Sequence, residues 1–576
     1  MPEILLIQPP ISDFYLTAKR TIPYGLACLA GPLESRGYSV EILDALAVSR
    51  SRKLTLPPEM AYLEDFYPGP DISPFSLFHN FRRFGLGAET IGERARNSGA
   101  FLVGVSSLFS AYSAEALQTA KEVKRNCPEA VIVLGGHHPT EMPEEVLRHD
   151  WVDFIIRGEA ETALPLLAGA IQGGVPMESV PGLGFRSAGK YFIKPPAVLE
   201  NLDEPAFPAI ELIDKCFYQR GRRPCAVISA GRGCPLGCSF CSIGCSSWSS
   251  FRLKSVNRVI EEMERSVFGI GARFIDFEDE NISCRKQWFL DLLSQIESRF
   301  RGCGLELRAM NGLFPPSLDE EIVCAMKDAG FTALNLSLCS TGGEQLQRFR
   351  RPDVREELEG CLRYGEKHGL DAVAYIIVGA PGQDPRDSVA DLLYLAPRPA
   401  IAGVSVFYPA PGSADFEKCR AQNLLPPAVS LFRSTALPVT DKTTRDDSIT
   451  LLRLGRILNF FKSLDATERN EVLRLAGEQS PTDLGPAFEC PDMNGPGLPA
   501  VQLPQQYAGA KPGREGEISR RREIGKALLG MFLREGVIYG MSPDGRLFRH
   551  RTSDALCREF RSGLKKIFGS MWKPTP

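Results

Sequence analysis

The chain has 576 residues, too many for one hydrophobic core, and the length predicts roughly two to four domains. Hydrophobic residues make up 43% and charged residues 24%, and the net charge of −3 excludes a whole-molecule field that would gather nucleic acid or an anionic membrane. No apolar run approaches the roughly 20 residues of a membrane span, and MPEILLIQPP enters a strand-like run with neither a basic segment nor a cleavage site. A cytoplasmic protein without a transmembrane segment is expected. There the 16 cysteines would not form a disulfide framework, and isolated ones such as Cys28, Cys324 and Cys361 read as small buried hydrophobes.

From residue 1 to about 195, strand-like runs alternate with helical stretches. EILLIQ (3–8), FLVGVSS (101–107), AVIVLGG (130–136) and DFIIRGE (153–159) are short and branched, with helical patterns at 113–126 and 141–149. The alternation predicts a doubly wound, Rossmann-like parallel sheet whose ligand site lies beyond the carboxyl ends of its strands. Residues 48–98, centred on PGPDISP, break the rhythm and read as an insertion. Gly-rich turns at strand ends let backbone approach a large flat ligand, and helix N-termini beside them supply amide donors. Ser106, Ser107, Gly135, Gly136 and Thr140 are the candidates for that contact.

Residues 196 to about 225 are Pro-rich and read as a linker. Strand-like runs then resume at 226–231, 274–279, 305–310, 334–338, 372–379 and 403–410, with helical stretches at 255–267, 286–300, 318–329, 354–368 and 385–395. Six such units predict a partial TIM-type β/α barrel, with its chemistry at the strand C-termini. Three domains follow: 1–195, then 196–430 with the linker, then a mainly α-helical 431–576. In the last, 446–476 and 517–535 read as helices, 480–515 as a Pro/Gly-rich loop, and Pro543-Asp544-Gly545 as a hairpin turn.

The strongest signal is SAGRGCPLGCSFCSIGC, in which Cys234, Cys238 and Cys241 stand four and three positions apart. With this cysteine content the spacing arises by chance in roughly one chain per hundred. Three thiolates on a tight Gly-containing loop can bind three irons of a cubane and leave the fourth open for a substrate's amino and carboxylate groups. Structural zinc, the competing reading, takes two separated ligand pairs, and no second Cys/His pair has suitable spacing. Cys245 could be a fourth ligand but reads as a bystander.

The spacing, with Phe240 before the third cysteine, resembles the radical S-adenosylmethionine (SAM) superfamily. FIDFEDENI resembles that family's acidic motif and places Asp279 and Glu280 near SAM. Asn311 and Gly312 match its Asn-Gly pair, and Gly379, Pro381 and Gly382 match its Gly-x-Pro-Gly turn. Arg351 stands where many members keep a basic residue for the methionine carboxylate. In the stretch Ser337-Leu338-Cys339-Ser340 the chain departs from the family, because Cys339 replaces a carboxylate that often helps hold SAM.

IQPP (7–10), IPYGLACLA (22–30), GVSS (104–107), VLGGHHPTEMPEEVL (133–147) and VDFIIRGEAET (152–162) resemble, in order, the cobalamin-binding domain that precedes the barrel in one branch of the superfamily. The resemblance adds Gln8, Pro9, His137, Gly158 and Glu159 to the cofactor-facing set. It implies cobalamin without histidine ligation, since no Asp-x-His-x-x-Gly segment occurs; a degenerate sheet kept as scaffold is the alternative. Corrin and cluster fall on separate domains, so a chain starting near residue 196 is expected to lose the corrin and keep the cluster.

The resemblance implies a [4Fe-4S] cluster, SAM and cobalamin as cofactors and reductive cleavage of SAM to a 5′-deoxyadenosyl radical. It favours methylation of an unactivated carbon of a small-molecule substrate, with an external electron donor such as flavodoxin or ferredoxin. A ring-forming, ring-contracting or oxidative rearrangement, and a non-catalytic cobalamin- and cluster-binding sensor, are the alternatives. No catalytic residue is assigned. From Lys511 onward 15 Lys/Arg stand against 7 Asp/Glu, which could steer an anionic partner or form a solvated face; aromatics are not interleaved as nucleic acid would require.

Overall fold

Branched apolar runs in the first 193 residues form a sheet with strand order Lys190–Ile193, Leu183–Ser187, Phe154–Ile156, Val131–Gly135, Leu102–Ser106, Ile4–Gln8, Val40–Asp44 in the computed structural model. The structure describes residues 1–16, 22–245, 248, 250–477 and 515–569. Of these seven strands the first five in chain order are parallel and the last two form an antiparallel edge hairpin. The parallel set is ordered 2-1-3-4-5, so winding reverses between Ile4–Gln8 and Leu102–Ser106 and a crevice opens beyond Gln8 and Ser106. Leu5, Ile7 and Val103 pack under Ala116 and Ala120 on one face, Ile4, Leu6 and Leu102 under Leu26 and Leu33 on the other.

Residues 48–98 are not one insertion. Ala88–Ser98 is the amphipathic crossover helix into Leu102–Ser106, burying Ile91 and Ala95 and ending at Gly99 in the left-handed region. The segment before it leaves the sheet: Met60, Leu63, Phe66, Tyr67, Leu77 and Phe81 pack against Leu431, Leu437 and Ile449 of the C-terminal region.

The six barrel strands are Arg223–Ile228, Phe274–Phe277, Glu306–Ala309, Ala333–Cys339, Asp371–Val378 and Ile401–Val406. The first three and the last three form parallel ladders. Between the two sets the backbone is bridged, Leu313 N donating to Asn335 O and Ser337 N to Leu313 O. Among the described residues no ladder joins the sixth strand to the first, so the barrel is partial. Helix Arg445–Ser463, opened by a Thr444/Asp447 capping box, covers that sixth strand. Its Asn459 side chain accepts from Ala402 N (2.8 Å) and donates to Ala402 O (2.9 Å), satisfying an otherwise open strand edge.

One apolar core runs from Ile275, Leu307 and Leu334 of the strands to Leu454, Leu528 and Phe560 of the C-terminal helices, so residues after 431 share the barrel's core. The proline- and glycine-rich 480–515 stretch lies, but for Glu515, outside the described residues; the hairpin at 543–545 is present between Tyr539–Met541 and Leu547–Arg549. Arg453, Arg456 and Arg521 converge on the inserted loop, donating to the carbonyls of Phe75, Ser76 and Ser73. Arg453 is 2% exposed. Arg453→Ala should leave a void and an orphaned carbonyl and cost about 2–4 kcal/mol, read as a lower melting temperature by calorimetry.

Candidate active site

The cysteine loop leaves the first barrel strand after Ile228. Its arms pair antiparallel, Gly231 with Leu253 and Arg232 with Arg252, and the cysteines lie beyond that pairing. Gly233 (φ +77°) and Gly237 (φ +63°) turn the loop; a Cβ at Gly233 would lie 2.5 Å from Ser250 O. Cys234, Cys238 and Cys241 are all unbridged thiols. Burial pushes the Cys238 thiol up to about 12, with the Arg351 guanidinium pulling the other way. Cys245 is spent elsewhere: its thiol donates to Cys238 O at 3.0 Å. Phe240 packs edge-on against Phe349, with ring centroids 5.0 Å apart.

The two acidic-motif residues separate. The Asp279 carboxylate accepts from Ala230 N (3.0 Å) and Gly231 N (2.6 Å) and so holds the base of the loop. Burial pushes it up to about 7, against the pull of those amides. Glu280 is the carboxylate whose field reaches Cys234 and Cys241. Arg351 is 8% exposed, with Nη1 3.7 Å from Cys238 Sγ and Nη2 donating to Ser337 O (3.0 Å) and Ser337 Oγ (3.2 Å). Asn311 donates to Glu278 at 3.3 Å. Gly379 (φ +77°) is backed by Ser448 and Thr443, so the C-terminal region covers the Gly-x-Pro-Gly turn. Cys339 is buried with φ +67°, beside Arg351.

Below the cysteines the barrel interior is polar, which the sequence reading missed. Ile275, Phe277, Leu307, Leu334, Leu336, Ala374 and Ile376 lie in the core shared with the helices, so their alternates Asp276, Arg308, Asn335, Ser337 and Tyr375 face inward. Arg308 Nε donates to Asp276 at 3.1 Å and Tyr375 OH to Asn335 at 3.1 Å. Period-two alternation in FIDF, LELRA and LNLSL carried that signal.

In the first domain the predicted turn residues gather at the strand ends. Ser107 N donates to Gly135 O (2.8 Å), and His138 N to Ser107 O (3.1 Å). Gly136 has φ +114°, and a Cβ there would meet Ser107 O at 2.8 Å, so only glycine lets the two loops touch. Gly136→Ala should cost about 2–4 kcal/mol through strain and clash, read as loss of corrin absorption at unchanged iron content. Ser107 Oγ and His138 Nε2, at these strand ends, are buried without a hydrogen-bond partner. Thr140 Oγ1 donates to Gly136 O at 2.8 Å. His138 is packed on Ser110, and burial pulls its imidazole down to about 4. His137 Nε2 lies 3.3 Å from Pro411 O of the barrel.

Several residues assigned to the cofactor are engaged elsewhere. Gln8 Nε2 donates to Asp44 (3.4 Å) beside the buried Pro9. Gly158 (φ +79°) makes room for the linker, since a Cβ would lie 2.3 Å from Ala197 O. Glu159 is gripped by Arg252, whose Nη1 and Nη2 donate at 2.9 and 2.8 Å. Burial opposes its ionisation, but Arg252 and Arg232 hold it below the usual range.

The strand-end turns and the barrel mouth face one another. His137 meets Pro411, Glu141 accepts from Trp248 Nε1 at 3.3 Å, and Gly412 packs on the Glu141 carboxylate. A B12 binding domain model matches residues 76–168, and a radical SAM superfamily model matches 228–393. An uncharacterized methyltransferase of Pyrococcus horikoshii is 27% identical over 73% of this chain and 84% of its own. The anaerobic magnesium-protoporphyrin IX monomethyl ester cyclase of Rubrivivax gelatinosus is 28% identical over 48% of this chain and 51% of its own. The radical SAM methyltransferase TsrM of Kitasatospora setae, solved with cobalamin and a [4Fe-4S] cluster, shares the fold at a TM-score of 0.57 and 18% identity, covering 82% of this chain and 90% of that one.

Fold and site together define a radical SAM enzyme with a corrin platform. The chain carries a B12 binding domain followed by a radical SAM domain, with a [4Fe-4S] cluster, SAM and cobalamin as its cofactors. Three unbridged thiols on one loop, and a crevice with an orphaned hydroxyl and a turn only glycine can make, fit those groups. No helix among the described residues is long and apolar enough to cross a membrane.

Proposed function

We propose that the enzyme methylates an unactivated carbon of a small-molecule substrate held at the mouth of the barrel. The supporting observation is the apposition of the Gly136–Glu141 turn with Pro411 and Trp248, which sets the corrin platform against the cysteine loop. When bound, the cofactors supply one-electron cleavage of SAM and a transferable methyl group.

The chain's own residues then hold, orient and exclude water. Cys234, Cys238 and Cys241 provide the three thiolates. Glu280 and Arg351 offer a carboxylate and a guanidinium for the amino and carboxylate ends of SAM, and a carboxylate–ammonium or guanidinium–carboxylate bond is charge-assisted. The polar interior at Asp276, Arg308, Asn335 and Tyr375 gives a small polar substrate hydrogen-bonding partners beneath the reacting position. An external one-electron donor of flavodoxin or ferredoxin type supplies the reducing electron.

The cyclase named above favours a second reading, an oxidative ring closure without methyl transfer. An anaerobic assay separates the two. Methyl transfer yields S-adenosylhomocysteine together with 5′-deoxyadenosine, whereas ring closure yields 5′-deoxyadenosine without S-adenosylhomocysteine. Absence of both overturns the enzymatic reading.

A further inference from the structure

We propose that Tyr24, Glu159 and Glu161 of the first domain are positioning residues for the cluster loop, so that the corrin-binding domain itself completes the iron–sulfur site. The inference rests on the reading that Cys234, Cys238 and Cys241 hold the cluster.

The loop's two arms each carry cations. Arg232 directly precedes Gly233 and Cys234 on the outgoing arm; Arg252 and Lys254 lie on the returning arm. Each is met by a buried acid. Arg232 pairs with Glu161 and lies 3.6 Å from Glu159. Arg252 forks onto Glu159 and also donates to Leu199 O of the linker. Lys254 pairs with Glu262 at 2.5 Å, and Tyr24 OH donates to the other oxygen of the same carboxylate. Ser229 N, at the root of the loop, donates to Tyr24 OH at 3.3 Å.

Three carboxylates therefore balance three cations around the loop, and two of those carboxylates come from the other domain. Glu159, Glu161 and Glu262 are 8%, 6% and 1% exposed, so the pairs are poorly screened and removing one partner strands a buried charge. The clamp is continuous with the corrin crevice. Thr140 Oγ1 donates to Gly136 O and accepts from Gly158 N at 2.9 Å, and Gly158 precedes Glu159. A run of contacts thus leads from the turn only glycine can make to Arg232, two residues before Cys234. On this proposal a chain starting near residue 196, which lacks Tyr24, Glu159 and Glu161, should lose its cluster rather than keep it.

Full-length Glu159→Gln, Glu161→Gln, Tyr24→Phe, Arg252→Gln and Arg252→Lys test it, each loaded anaerobically with cluster and corrin. Corrin per chain is read from visible absorption, iron release from a chelator challenge, and cluster environment from the EPR spectrum of the reduced cluster without SAM. Expected are unchanged corrin and a shifted EPR spectrum, with iron released roughly tenfold faster, the lower bound for losing a residue that orients a metal ligand. Arg252→Lys, which keeps the charge but loses the fork, should fall between wild type and Arg252→Gln. Wild-type iron release and EPR in Glu159→Gln and Arg252→Gln would overturn the proposal. So would loss of iron and corrin in equal proportion with a lower melting temperature, which marks general unfolding. Cys234→Ala run in parallel separates the two readings: iron retained there overturns the ligand assignment itself, whereas iron lost there but held firmly by the clamp variants overturns the clamp alone.

Discussion

Cys234→Ala should empty the cluster site. Reconstituted without oxygen, the wild-type protein is expected to hold about four irons and four sulfides per chain, and the variant close to none, with SAM cleavage abolished. The effect is all-or-none because a cubane held by three thiolates has no spare ligand, and the same result is expected for Cys238→Ala and Cys241→Ala. Cys245→Ala is the internal control. Its thiol already donates to the Cys238 carbonyl, so its loss should leave the iron content unchanged. Iron and sulfide analysis beside a SAM-cleavage assay checks all four. Full iron in Cys234→Ala would show that the cluster sits elsewhere.

The second large effect is at Glu280. Asp279 is committed to the amides of Ala230 and Gly231, whereas the charge of Glu280 is felt at Cys234 and Cys241. A charge-assisted hydrogen bond is worth roughly 1.5–3 kcal/mol, so Glu280→Ala should weaken SAM binding by about one to two orders of magnitude. Corrin content should not change. Cys339→Ala should bind SAM almost normally, because a thiol is a poor acceptor and the buried Cys339 packs in an apolar pocket with Phe349, Ala380 and Phe407. Asp279→Ala should behave differently again, loosening the loop and lowering iron content before it touches SAM affinity. Equilibrium titration of SAM against the three variants distinguishes them, and near-normal binding by Glu280→Ala with a large loss in Cys339→Ala would reverse the assignment.

Much of this site was legible in one dimension. Cysteine spacing is a local property: four and three positions put the three thiols on one Gly-turned loop whatever surrounds it. The strand-end glycines are equally local, since Gly136 stands where φ must be positive. Glu159 shows the opposite case. A run such as RGEAET shows a turn, a pair of acids and a resemblance, but not which way a carboxylate points. Its direction depends on Arg252, 93 positions later, and on the linker backbone at Ala197 and Leu199. Asp279 differs from Glu280 for the same reason.

The sequence by itself determined the alternation of strands and helices, the turns of the cysteine loop and the Gly-rich turns at the strand ends, because each follows from short-range periodicity, turn chemistry or spacing. Only the tertiary structure decided what the domains do to each other. It split residues 48–98 between a crossover helix and an excursion onto the C-terminal region, and it joined the C-terminal helices to the barrel's own core. It also engaged two residues read as cofactor-facing, Gly158 with the linker backbone at Ala197 and Glu159 with Arg252 on the returning arm of the cysteine loop. Those outcomes rest on pairings between residues tens to hundreds of positions apart. Burial makes such pairings strong by removing the water that would screen them, and no pattern within a window of sequence encodes which distant partner a buried charge will meet.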